Sequence, residues 1–306
     1  MFRVVSTSPL PIDLGAQLPG ARVEVAETWA GLSGLDLGDA DALVCLLLDR
    51  VDAAVLARAP RLRVIANCAV GYDNVDLAAA TAAGIAVTNT PDVLTEATAE
   101  FTWALILAVA RRLPEAAELV RAGTWPGWRL DQLLGIELAG KTLGIVGMGR
   151  IGRAVARRAD AFGMRVIAAG RGGGVDELCA TADVISLHCP LTPETLHLID
   201  AARLARMKPS AIVINTARGG CVDEAALIDA LARRRIFGAG LDVFEGEPAV
   251  DPRLRADPRL VLAPHLGSAT TETRTAMAQL CADAVIAVRS GRRPVHLVNR
   301  ELVLHA

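Results

Sequence analysis

Arg218 in NTARGG, Glu247 in LDVFEGEP and His265 in APHLGSAT each sit just past an apolar run that reads as a buried strand. Ligands of open α/β sheets bind at the carboxyl ends of the strands, so this placement can gather all three at one edge. Together they suit reduction of a 2-keto acid. An arginine fixes a carboxylate through paired hydrogen bonds. A histidine donates a proton to the carbonyl oxygen as hydride reaches the carbon. A glutamate holds the imidazole ring and stabilises it once charged. Taken singly, each has a plainer reading: Arg218 as a helix cap, Glu247 as a loop charge, His265 as a satisfied strand-end histidine.

A second cluster lies upstream. GIVGMGRIG, 144–152, carries G-x-G-x-x-G at Gly147, Gly149 and Gly152, with a strand before it and a helix, Arg150 to Phe162, after it. The first glycine makes the tight turn, the second lets the backbone approach a pyrophosphate, and the third lets helix and strand pack closely. The helix then offers its free N–H groups and positive end to the diphosphate. The next strand, VIAAG, ends on Gly170 and Arg171 where an acid would select NAD by accepting both ribose hydroxyls. The nearby acids, Asp160 and Asp176, fall in the helix before and the segment after. Arg171 offers planar donors to a 2′-phosphate. Such a contact is worth about 1.5–3 kcal/mol, or about ten- to a hundredfold in affinity. NADP(H) is therefore favoured, with NAD(H) possible. Arg171 stacking on adenine or pointing to water is the alternative.

These residues need a scaffold that alternates strand and helix. FRVVS (2–6), ALVCLL (42–47), RVIANC (63–68) and IAVTN (85–89) read as strands, with helices over 52–60 and 76–84 between them. A longer helix over 96–112 follows, opened by a cap-like Thr95, and then an irregular stretch, AGTWPGWRLDQLLGIEL. Alternation resumes with strands at 142–147, 164–169, 183–188, 211–216, 238–243 and 260–265, and a closing helix spans 271–289. Such alternation gives parallel sheets with helices on both faces. The expected architecture is α/β: two doubly wound parallel-sheet domains, one Rossmann-like and one flavodoxin-like, with an active-site cleft between them. Residues 1–97 with 274–306 form the expected substrate domain, and 98–273 the dinucleotide-binding domain.

Composition excludes several classes. The formal net charge of −2 over 306 residues provides no basic surface for nucleic acid or an anionic membrane. The longest helical apolar run, Phe101 to Ala110, is too short to span a bilayer. The start, MFRVVSTSPL, has no long apolar core behind basic residues, so a cytoplasmic location is expected. The six cysteines show no CxxC spacing, so neither a zinc ribbon nor a redox pair is expected, and no metal site is. Within apolar runs they read as small buried hydrophobes.

The motifs as a set resemble the D-isomer-specific 2-hydroxyacid dehydrogenases over nearly the whole chain. AVGYDNVD (69–76), GIAVTNTPDVLTEATAEF (84–101), GKTLGIVGMGRIG (140–152), HCPLTPET (188–195), NTARGG (215–220), AGLDVFEGEP (239–248) and PHLGSAT (264–270) carry the similarity. The resemblance implies Arg218, Glu247 and His265 as catalytic residues. It implies substrate contacts from the backbone N–H groups of Val70 and Gly71, and from Ser268. Its cofactor positions fall on Gly149, Arg150, Ile151, Thr195, Ala217, Asp242 and Gly267.

Within the family, the glyoxylate/hydroxypyruvate reductases look most similar, with a Gly-Arg pair after the second strand. They imply a homodimer in which a tryptophan, best matched by Trp128, reaches the partner's site. A pocket for the substrate side chain is expected near Leu47, Leu48 and Asp49. One departure stands out. Family members carry a longer segment with a further short strand, and often a second basic residue, after the arginine. Here only GGGVDELCATAD (172–183) intervenes, which bears on how a 2′-phosphate would be held. The alternatives are a phosphoglycerate- or phosphite-type dehydrogenase, or a dinucleotide-sensing corepressor-like protein. Glu247 argues against a formate dehydrogenase, which pairs its histidine with glutamine.

Overall fold

The computed structural model describes residues 1–29 and 31–302. The chain divides into two compact units, 1–94 with 269–306, and 95–268. Both are parallel-sheet α/β domains.

The first unit is built on a five-stranded parallel sheet. Its strands are β1 (Arg3–Ser6), β2 (Arg22–Val25), β3 (Ala42–Cys45), β4 (Val64–Asn67) and β5 (Ala86–Thr88), in the order β2-β1-β3-β4-β5. This is the flavodoxin-like order. Successive side chains point to opposite faces. Val4, Val44, Val64 and Ala86 therefore pack against Cys281, Val285 and Val288 of the Thr271–Arg289 helix. Val5, Leu43, Ile65 and Val87 pack on the other face with Leu56 and Ala80. Beyond the long helix, Asn299 closes the β5 edge: its Oδ1 accepts the Val87 N–H at 2.9 Å and its Nδ2 donates to the Ile85 carbonyl at 2.9 Å.

The second unit holds β6 (Thr142–Val146), β7 (Arg165–Ala169), β8 (Val184–Leu187), β9 (Ile212–Asn215), β10 (Gly238–Leu241) and β11 (Leu260–Leu262). They run parallel in the order β11-β10-β9-β8-β6-β7. The full dinucleotide-binding order has one more strand beyond the second. Here β7 is the edge, as the short 172–183 segment implied. The Thr95–Ala110 helix covers one face, where Trp103 stacks on Phe162 at 4.3 Å between ring centroids and donates its indole N–H to the Val155 carbonyl.

Three local features differ from the sequence reading. β2 was not anticipated, because RVEV is a charged edge strand without an apolar run. Thr95 is the first helical residue, not a cap. A separate helix, Leu113–Arg121, precedes the irregular stretch; Arg112 at φ 53° breaks it from the helix before.

Candidate active site

His265 and Glu247 meet. His265 Nδ1 lies 2.9 Å from Glu247 Oε2, with the side chains 25% and 16% exposed. The other carboxylate oxygen of Glu247 accepts the Phe244 N–H at 2.8 Å. The carboxylate is thus oriented at one end by the backbone and at the other by the imidazole. His265 itself adopts φ 56°, a left-handed conformation unusual for a side chain of its size. Asp242 holds it there. The Asp242 carbonyl accepts the His265 N–H at 2.9 Å, and its carboxylate accepts the N–H groups of Leu266 at 2.6 Å and Gly267 at 2.8 Å. Burial raises the Asp242 carboxyl above its usual range, against those two backbone hydrogen bonds, which lower it.

Arg218 follows β9, next to β10 in the sheet, so the three residues leave the carboxyl ends of the adjacent strands β9, β10 and β11. Buried Asn215 sets the turn before Arg218: its amide donates to the Arg218 carbonyl at 2.8 Å and its oxygen accepts the Ala217 N–H at 3.0 Å. The next residue, Gly219, could not be anything larger. A Cβ there would sit 1.9 Å from the Phe244 carbonyl carbon.

The glycine cluster behaves as its spacing implied. Gly147 has φ 98°, and a Cβ would lie 2.8 Å from the backbone of His188 and Cys189. A Cβ on Gly152 would lie 2.2 Å from the Gly147 carbonyl oxygen, so helix and strand touch there. Gly149 faces open space. It caps the Arg150–Ala159 helix with no side-chain hydrogen bond, which leaves the first N–H groups for an anion. These features fit a dinucleotide diphosphate.

Arg171 stands at the corner of a tight Gly170–Gly173 turn, closed by a 2.8 Å backbone hydrogen bond. Its exposed guanidinium has no hydrogen bond or ion pair among the described residues. Ile151 is half-buried at the start of the fingerprint helix, and Gly267 packs on Thr98. The Thr195 hydroxyl is engaged within its own loop, donating to the Pro190 carbonyl at 2.6 Å and accepting the Thr192 N–H at 2.7 Å. Ser268 is half-buried at the end of the second unit.

Val70 and Gly71 lie in the first unit, past β4. Their carbonyls accept from Asn89 and Asn67, each at 2.8 Å, while their N–H groups donate to no acceptor among the described residues. Asn74 bonds to Asn67 and to the carbonyls of Leu46 and Asp49. Asp49, expected near the side-chain pocket, is a buried tie. It accepts from Thr7 at 2.5 Å, from the Trp29 indole at 2.9 Å and from the Leu46 N–H at 2.7 Å. Sequence reasoning assigned no role to Asn67, Asn89, Asn74 or Asn215. For Asn67, Asn89 and Asn215 the available signal was an asparagine at or just beyond the end of an apolar strand; Asn74 offered none. Trp128 is 80% exposed on the irregular stretch, with Leu113, Val120, Trp125, Leu130 and Leu134 exposed around it in sequence.

Comparison with known proteins agrees with this geometry. Residues 103–267 match the family described as D-isomer specific 2-hydroxyacid dehydrogenase, NAD binding domain. A glyoxylate reductase of Aeropyrum pernix is 51% identical over 284 residues, 87% of this chain and 84% of the relative. The chain belongs to the D-isomer specific 2-hydroxyacid dehydrogenases. Members are oxidoreductases, and this one carries the family's nicotinamide dinucleotide-binding domain. Among solved structures, a protein from Thermus thermophilus superposes with a TM-score of 0.90 at 47% identity, covering 97% of this dehydrogenase and 100% of that chain. An NADPH-dependent glyoxylate/hydroxypyruvate reductase from Sinorhizobium meliloti, in complex with NADP and malonate, gives 0.88 at 34% identity, over 100% and 99% of the two chains. No helix among the described residues of the dehydrogenase is long and apolar enough to cross a membrane.

Proposed function

We propose that this chain uses NADPH to reduce small 2-keto acids, glyoxylate and hydroxypyruvate foremost, to the corresponding D-2-hydroxy acids. The observation that carries the reading is the 2.9 Å contact between His265 Nδ1 and Glu247 Oε2. It holds the ring by Nδ1, and it places a carboxylate to stabilise the ring when charged. When bound, the dinucleotide supplies the hydride. His265 gives the proton to the carbonyl oxygen. Arg218 binds the carboxylate. In the first unit, the N–H groups of Val70 and Gly71, which donate to no acceptor among the described residues, are that unit's candidate substrate donors.

Gly147, Gly149, Arg150, Ile151 and Gly152 would hold the dinucleotide at the fingerprint, with Thr195, Ala217, Asp242 and Gly267 along its length. Arg171 supports the preference for NADPH: it is exposed, lacks a protein partner among the described residues, and stands past β7 where an acid would favour NADH. The apolar residues exposed around Trp128 favour a homodimer in which this arm is covered by a second copy. The thiols are all free, which suits a cytoplasmic location.

The test is the initial rate of NADPH and NADH oxidation with glyoxylate and with hydroxypyruvate. Faster oxidation of NADPH with either acid is expected. A preference for NADH would remove the role of Arg171. No oxidation with either acid would remove the substrate assignment. Sedimentation should give a dimer, and a monomer would remove the role of the arm.

A further inference from the structure

Two thiols that are 32 positions apart in sequence come together beside the candidate site. Cys189 lies two residues past β8, in the loop whose backbone seats Gly147 of the fingerprint. Cys221 ends the short 3-10 turn that begins just after Arg218, and its N–H donates to the Arg218 carbonyl at 3.1 Å. The two sulfurs are 3.9 Å apart. We propose that Cys189 and Cys221 form a reversible disulfide under peroxide, and that this bond turns the dehydrogenase off by pulling the cofactor loop toward the arginine turn.

The surroundings assign the two thiols different parts. Cys189 is half-buried and reachable, whereas Cys221 is fully buried. Their mutual hydrogen bond holds Cys189 below the usual thiol range and raises Cys221 above it. Cys189, the more accessible of the two, is therefore the attacking sulfur. Its thiolate displaces hydroxide from hydrogen peroxide: an S–O bond forms, the O–O bond breaks, and the sulfur is oxidised to the sulfenic acid. The Cys221 sulfur then attacks that sulfur. The S–S bond forms, the S–O bond breaks, and the departing hydroxide takes the Cys221 proton. Two thiols and one peroxide give one disulfide and two waters.

The bond requires the sulfurs to close from 3.9 Å to about 2.05 Å. The arginine turn has little room to move, because Gly219 already lies against the Phe244 backbone. The Cys221 carbonyl is held by the Ile199 N–H at 3.0 Å, and the Gly220 carbonyl by the His197 N–H at 2.7 Å. The Cys189 loop takes up the shift, and that loop is packed on Gly147. A misplacement of about 1 Å can cost about a hundredfold in rate. The expected loss on closure is about ten- to a hundredfold.

The inference rests on the dehydrogenase activity only for its rate readout; the bond is read independently by mass. Intact enzyme is treated with hydrogen peroxide, and NADPH oxidation with glyoxylate is followed alongside mass mapping of digested peptides. The expected result is loss of two hydrogens in a species joining the Cys189 and Cys221 peptides, loss of rate in parallel, and recovery of both with a thiol reductant. Cys189→Ser should resist inactivation, while Cys281→Ala, in the other unit, should remain as sensitive as wild type. The proposal is overturned if no such cross-link forms, if the cross-linked enzyme keeps its rate, or if Cys189→Ser is inactivated as readily as wild type.

Discussion

Exchanging Glu247 for glutamine keeps the shape of the side chain and removes its charge. The amide oxygen can still accept the Phe244 N–H, but its nitrogen then meets His265 Nδ1 as a second donor. The lost interaction is a hydrogen bond to a charged group, worth about 1.5–3 kcal/mol. The low exposure of both partners, 16% and 25%, places it toward the upper end. At 1.36 kcal/mol per tenfold in rate, the expected fall in kcat is about ten- to a hundredfold, if the bond is made fully in the transition state. The structure supplies its own control. His197 and Glu245 also sit 2.8 Å apart, but with 39% and 44% of their side chains exposed. Solvent screens such a pair to about 0–1 kcal/mol, so Glu245→Gln should change kcat by less than about fivefold. Steady-state oxidation of NADPH with a saturating 2-keto acid measures both, with a thermal melt to confirm that each variant is folded. Equal kcat losses in the two variants, or an unaffected Glu247→Gln, would refute the reasoning that the half-buried pair drives proton transfer.

Three further outcomes follow from named contacts. Arg171→Ala should raise KM for NADPH about tenfold or more while leaving NADH nearly unchanged; equal changes would mean that the guanidinium does not meet a phosphate. Gly152→Ala forces a Cβ to 2.2 Å from the Gly147 carbonyl oxygen. It should cost about 1–3 kcal/mol, read as a lower melting temperature and weakened dinucleotide binding by calorimetry, and wild-type values for both would contradict the close packing. Burial lowers His188 from 6.5 to about 4, and its Nδ1 has no partner among the described residues. Between these values the unfolded chain takes up a proton that the folded chain excludes, so this contribution to stability is lost as pH falls, by about 3 kcal/mol in all. Denaturant midpoints should decline from pH 6.5 to 4 more steeply in wild type than in His188→Asn; parallel declines would assign the acid sensitivity elsewhere.

What could be read from the sequence was what periodicity and fixed spacing encode. Buried parallel strands such as VIAN and IVIN are apolar up to their closing asparagine, so they stand out as runs. The fingerprint glycines are legible because a turn, an open approach and a close packing each demand glycine. β2 escaped because an edge strand needs no apolar run. The Leu113–Arg121 helix escaped because it has no buried residue to mark its face. The ties of Asn74, Asn89 and Asp49 escaped because their partners come from other segments, and the pairing of strands is not written in any one segment. The Cys189–Cys221 juxtaposition is the sharpest case. Spacing rules look for near neighbours in sequence, whereas these thiols are neighbours only because β8 and β9 are.

The first unit is interrupted: the chain leaves it at Leu94 and re-enters it at Ala269. During synthesis, β1 to β5 therefore emerge long before the Thr271–Arg289 helix that covers one of their faces. At about 5–20 residues per second, the intervening stretch takes roughly ten to thirty-five seconds to make. Through that interval Val4, Val44, Val64 and Ala86 present an uncovered apolar face. The second unit, continuous in sequence, can finish folding first. The apolar face of the nascent first unit is thus closed only when the Thr271–Arg289 helix arrives.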